Sequence, residues 1–249
     1  MNFFSQTMDA VRQSWAVLKA DRELLVFPAL SGLLCLIVSA SFYFPIAAAG
    51  SGLEGMYAGN KAAFFVLMFL FYFANYFLIT FFNCAVIACA EIRMAGGDPT
   101  LADGFRASLA VTSYIAAWAM IEATVGVILK SLSRKGRRGL VTASLGTMWT
   151  MAAFFVPPRM VIERTDPFTA LKSAWKDLKG NWGHQLVGGV SFGLLGFAAS
   201  LPAILVLFAF GTPGIPAVVF AGVWILAVSL VISTLKAIFQ TSLYLSMRG

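Results

Sequence analysis

The chain has 249 residues, of which 59% are hydrophobic and 12% charged, with a net charge of +7 and a mean hydropathy of +0.83. A water-soluble domain carries about 25% charged residues to solvate its surface, so roughly half that share excludes an ordinary soluble globule and leaves lipid to cover the outside. The Lys and Arg excess flanks apolar runs, which points to membrane lipids and their anionic headgroups as partners and away from nucleic acid.

Residues 1–22 predict an N-terminal interfacial helix. Phe4, Met8, Val11, Trp15 and Leu18 form an apolar stripe, and Trp15 with Lys19 has the composition of a helix in the headgroup layer. The opening stretch lacks a basic leader, carries Asp9, and reaches its first long apolar run only after Arg22 and Glu23, so no cleavable signal is expected. Six apolar runs then read as membrane spans, at 24–49, 62–90, 109–132, 140–156, 183–210 and 215–235, each near the roughly 20 residues a crossing needs. Pro202 is expected to kink the fifth.

Two further interfacial helices are expected, at 98–108 and 166–180. Asp98 and Asp166 suit the N-cap, and Pro99 and Pro167 suit the first helical position. Phe168, Leu171, Trp175 and Leu178 fall on one face of the second, with Lys172, Lys176 and Lys179 elsewhere and Trp182 just beyond; these basic and indole side chains join Trp15 and Lys19 as the expected lipid-interface set. The stripes suit either the headgroup layer or packing against the chain's own spans. A repeat underlies the arrangement. Ala10, Arg12, Trp15, Leu18 and Lys19 recur at the same offsets as Ala170, Lys172, Trp175, Leu178 and Lys179, and Asp98-Pro99 matches Asp166-Pro167. The economical reading is a single transmembrane domain over 1–249: all-α, six transmembrane helices in three hairpins, each preceded by a cytoplasmic amphipathic interfacial helix.

Orientation follows from the basic residues. With the N-terminus inside, twelve of the 18 Lys and Arg lie on the cytoplasmic side and six on the other, which favours both termini in the cytoplasm of an inner (plasma) membrane. The basic cluster at 134–138 lies on the disfavoured side. Either the overall bias prevails, or spans three and four form a re-entrant hairpin.

Polar residues inside the spans are few. Glu122 is the acid placed well within one, where insertion costs about 2.5–3.5 kcal/mol unless it is protonated, paired or wet. Asn75, Tyr76 and Asn83 on the second span either bond neighbouring helices or line a polar pathway with Glu122. Glu163 is expected to pair with Arg159 or Arg93. The one histidine, His184, sits at a span rim, and Cys35, Cys84 and Cys89 lack metal-ligand spacing, so no catalytic set, cofactor or metal is expected, and no enzyme.

The residues Tyr72-Phe73-Ala74-Asn75-Tyr76-Phe77, Phe81-Phe82-Asn83-Cys84-Ala85, Gly96-Gly97-Asp98-Pro99-Thr100, Phe155-Val156-Pro157 and Trp182-Gly183 resemble an uncharacterised family of prokaryotic multi-pass membrane proteins, a domain of unknown function. More remotely the chain is similar to the membrane domain of glycerophosphoryl diester phosphodiesterases, which implies the same hairpin-plus-interfacial-helix plan. The expected function is non-catalytic, acting through lipid or protein contacts as an accessory or assembly subunit with a membrane-protein partner or as a homo-oligomer. The alternative is an oligomeric channel or transporter with Glu122 on the pathway.

Overall fold

Away from water, every backbone N–H and C=O must find a partner within the protein, and for a single apolar run only a helix provides that. The computed structural model of the chain describes residues 3–48, 50, 52–133, 146, 149–209 and 214–248, without the side chains at 3–8, 53–54, 129–133, 177–194 and 208–209. All regular structure among them is helical. In order, α1 is Phe3–Ala20, α2 Val26–Ala48, α3 Gly52–Gly59, α4 Lys61–Met94, α5 Leu101–Ala110, α6 Thr112–Ser133, α7 Val156–Ile162, α8 Pro167–Ala209 and α9 Ile215–Ser246. A 3-10 turn at Arg22–Leu25 leads into α2, and 149–154 is also helical.

Three stretches are long and apolar enough to cross a membrane: Arg22–Ala48, Lys61–Met94 and Ile215–Ser246. A fourth arises if Leu101–Ala110 and Thr112–Ile128, bent by 71° at Val111, count as one. These stand against the six spans expected. Of the run 140–156, residues 140–145 and 147–148 lie outside the described residues, and of 183–210 the apolar helix found is the shorter Leu195–Leu207. The basic cluster at 134–138 is also outside them. The most apolar windows of the three long stretches are 17%, 0% and 6% buried inside the protein, so their side chains need lipid or a partner around them.

The core gathers at one end. The 34 residues of α4 extend over about 51 Å at ~1.5 Å per residue, well beyond the ~30 Å of a hydrocarbon layer. In its first half only Phe64 is buried, whereas Cys84 to Ala90 are all buried, among α1, α2, α5, α6, α7 and α9. Two apolar clusters meet there. One joins Phe27, Phe82, Val86, Ile238 and Tyr244; the other joins Ile87, Ile115, Trp118 and Met160. Trp118 stacks on Trp149 at 5.6 Å.

Small residues decide how the short helices dock. α1 buries Ala10 and Ser14, α5 buries Gly104 and Ser108, and the start of α8 buries Ala170 and Ala174, each pair four residues apart on one helical face. The first and third pairs occupy equivalent repeat positions; the second is shifted by two. Of the apolar stripes, which suited either surface, Leu18 is buried, whereas Trp15 is 47% and Phe168 68% exposed. Side-chain volume is the reason: a helix approaches α4 and α9 closely only along its smallest residues.

Local signals explain the boundaries, with three corrections. Asp166 caps α8, accepting from the N–H groups of Phe168 and Thr169 at 3.0 Å, as its spacing before Pro167 predicts. Asp98 does not cap α5; Thr100 does, in a capping box with Asp103, because Asp98 is held by Arg93 instead. The expected helix 166–180 is not a separate element. It runs unbroken into α8, since Gly180 and Gly183 cost a helix only about 1 kcal/mol each and no proline intervenes. The last span also ends later than 235: α9 continues to Ser246, with 234–235 and 237–244 buried despite their polar residues.

Side chains of α9 reach backbone carbonyls beside two prolines. Pro158 has no N–H for the Phe154 carbonyl four residues back, and the Gln240 amide donates to it. Near Pro202, where the proline ring disturbs the ladder of α8, the Trp224 indole donates to the Ala199 carbonyl at 2.7 Å.

Gly104 is the tightest of these contacts. A Cβ there would lie 2.6 Å from Phe27 Cζ, 2.9 Å from Cys89 Sγ and 3.0 Å from the Ala85 carbonyl oxygen. Gly104→Ala is expected to destabilise the protein by about 1–3 kcal/mol through overpacking, read as a lower thermal midpoint in detergent; an unchanged midpoint would disprove this packing.

Candidate functional site

Glu122 lies on the face of α6 that meets α4. Thr80 Oγ1 donates to its Oε2 at 3.4 Å, and the buried Trp118 side chain lies one turn earlier on the same face. A Cβ on Gly126 would lie in ordinary contact with Tyr76, 3.5 Å from its hydroxyl, so Tyr76 faces α6 beside Glu122. Thr80, on the same stripe of α4 as Tyr76, is thus the residue that bonds Glu122 directly. The two asparagines go elsewhere. Asn75 donates to its own helix at Phe71 O, 2.9 Å. Asn83 donates to Gln240 Oε1 of α9 at 3.3 Å, and Gln240 in turn holds the Phe154 carbonyl. Of the four expected pathway residues, Glu122 and Tyr76 thus meet where α4 and α6 pack, Asn83 joins an amide relay to α9, and Asn75 bonds only its own helix.

Two ion clusters at the packed end were outside that set. Arg93, in the last turn of α4, donates through Nε and Nη2 to both carboxylate oxygens of Asp21, and through Nη2 to Asp98. Asp21 is only 5% exposed, so this fork ties the α1–α2 corner to the end of α4. Glu163, just after α7, accepts from the Tyr244 hydroxyl and pairs with Arg248 at 3.2 Å. The guanidinium groups of Arg159 and Arg248 lie 5.5 and 5.7 Å from the Tyr244 ring centroid, near the range of cation–π contact. Of the two expected partners of Glu163, Arg93 is taken by Asp21, and the C-terminal end of α9 brings Arg248 to Glu163. Ser242 adds a bond to Gln13 of α1 at 2.6 Å. Asp21 and Arg93 are 72 positions apart, so nothing local announces the pair, whereas Gln240 amid apolar residues carries the same signal that singled out Asn83.

Of the expected lipid-interface residues, Trp15, Lys19, Lys172 and Lys176 are exposed and Trp175 is half-buried. Lys19 Nζ sits 5.6 Å over the Trp15 ring. The side chains of Lys179 and Trp182, and that of His184, lie outside the described residues. Among the described residues no group of three His, Cys, Asp or Glu side chains is placed to hold a metal ion.

Residues 62–248, from the start of α4 to the end of α9, match a family model described as a family of unknown function, DUF6159. The chain belongs to the DUF6159 family. The match takes in the Glu122 pocket, the Gln240 relay, Arg93 and the Glu163 cluster, and leaves α1 and α2 outside it. No curated protein and no solved structure matches the chain. For this DUF6159 member the family therefore carries no activity across, and the site has to be read from its own chemistry.

Two outcomes follow. Arg93→Gln strands the buried Asp21 carboxylate and is expected to cost about 3–5 kcal/mol, whereas Arg93→Gln with Asp21→Asn should recover much of the lost thermal midpoint; equal losses in the two proteins would remove the buried pair. Asp166 lies below the ordinary aspartate range because the Thr169 side chain, then the Thr169 N–H, bond its charged form. A lowered folded pKa adds stability that is complete above the unfolded value of about 3.9 and is lost as pH falls through the folded value. Asp166→Asn should therefore lower the midpoint at pH 7 and weaken the acid dependence below about pH 4; a variant with the same pH profile as wild type would rule out the cap.

Proposed function

We propose that this protein is a six-span component of a bacterial inner membrane, with both termini in the cytoplasm, that works without catalysis through lipid or protein contacts as an accessory or assembly subunit. The carrying observation is the division of the molecule: one end locked by buried packing and ion pairs, the other presenting apolar helix windows that are 17%, 0% and 6% buried. Such surface requires cover, from lipid or from another chain. The three-hairpin plan, with 140–156 and 183–210 as the further spans, and the likeness to the membrane domain of glycerophosphoryl diester phosphodiesterases belong to this reading.

Chemical cross-linking in native membranes, followed by affinity purification and mass spectrometry, tests it. A stoichiometric membrane-protein partner, a homo-oligomer or an enriched lipid class is expected. A monomer with none of these would overturn the proposal.

The Glu122 pocket favours a second reading, an oligomeric channel or transporter, because a carboxyl beside Thr80 and Tyr76 within apolar helices is chemistry suited to a proton or cation. Proton or cation flux in proteoliposomes that is abolished by Glu122→Gln would support it. Absent flux in the wild type, or flux indifferent to Glu122→Gln, would eliminate it.

A further inference from the structure

Two repeat copies bury the same face and leave the same face uncovered. In α1 the buried pair Ala10 and Ser14 lies opposite Arg12 and Lys19, which are exposed with Trp15 at the border. At the start of α8 the buried pair Ala170 and Ala174 lies opposite Phe168, Lys172 and Lys176, all exposed. α1 and α8 are in contact, and Ala10, Val17, Leu18 and Ala174 share one apolar cluster, so the two helices dock side by side at the packed end. Each keeps its small residues for the protein and turns a large aromatic with flanking cations outward.

An aromatic ring 47% or 68% exposed is costly in water and well placed in a headgroup layer, where its body meets acyl carbon and a neighbouring cation meets phosphate. The Lys19 ammonium over the Trp15 ring has that geometry. Asp9 is the acid of α1, against Arg12 and Lys19, so the face remains cationic.

We infer that the outward faces of α1 and the first turns of α8 together form a docking platform for anionic phospholipid headgroups, selecting them over zwitterionic ones. This rests on the lipid-contact half of the proposed function and names its ligand class. Charge complementarity decides the occupant: each basic side chain near an anionic surface adds to the attraction, and this platform brings four, Arg12, Lys19, Lys172 and Lys176.

The full chain, reconstituted with spin-labelled phosphatidylglycerol or phosphatidylcholine, tests this through the motionally restricted fraction in the electron paramagnetic resonance spectrum. Wild type should prefer phosphatidylglycerol at least about two-fold, and 1 M salt, with its Debye length of about 3 Å, should reduce that preference. Arg12→Gln, Lys19→Gln, Lys172→Gln and Lys176→Gln combined should abolish it, while Lys19→Arg, Lys172→Arg and Lys176→Arg combined should keep it. Equal restriction of the two lipids by wild type, or a preference untouched by the four glutamines, would overturn the inference. A protein that keeps the preference yet purifies without a partner would sink the assembly reading alone.

Discussion

Between Cys84 and Ala90, α4 carries nothing larger than isoleucine, and all seven side chains are buried. A helix covered on every side must be met by other helices along each face, and small side chains let their backbones come close. The rest of the packed end follows from this stretch. α5 crosses at Gly104, where no room exists for a Cβ, and Ser108 donates back to Phe81 O at 2.9 Å. α6 lays Trp118 against the same stretch, and α9 closes the far face with Ile238 and Phe239.

Polar groups in this core serve as connectors. Gln240 reaches both the carbonyl that Pro158 leaves unpaired and Asn83; Ser242 reaches Gln13; Tyr244 and Arg248 reach Glu163. The final turns of α9 thereby hold α1, α4, the 149–154 stretch and the end of α7 at once. Arg93 does the same for the α1–α2 corner. Removing one member of such a connection leaves its partner buried and unpaired, which costs more than the connection contributes.

Specific polar bonds at one end and loosely covered apolar helices at the other give two mechanical regimes. The packed end is defined by complementary side chains and is where a fixed shape can be presented to a headgroup layer. At the open end Val218, Val219, Val223 and Leu226 of α9 are exposed, and helix neighbours there depend on the surrounding solvent.

The membrane character and the wholly helical class were legible because they depend on composition and run length, which need no knowledge of contacts. The Asp166 cap and the α5–α6 break near residue 109 were legible for a similar reason: each is a local or periodic signal. The tertiary structure decided the rest. Asp21 with Arg93, Glu163 with Tyr244 and Arg248, and Asn83 with Gln240 join residues far apart in the chain. Which face of an amphipathic helix turns inward was also settled by packing: hydrophobicity ranks Phe168 and Trp15 as core, but close approach to a neighbouring helix selects Ala10, Ser14, Ala170 and Ala174, because in an apolar solvent fit between surfaces replaces the drive to escape water.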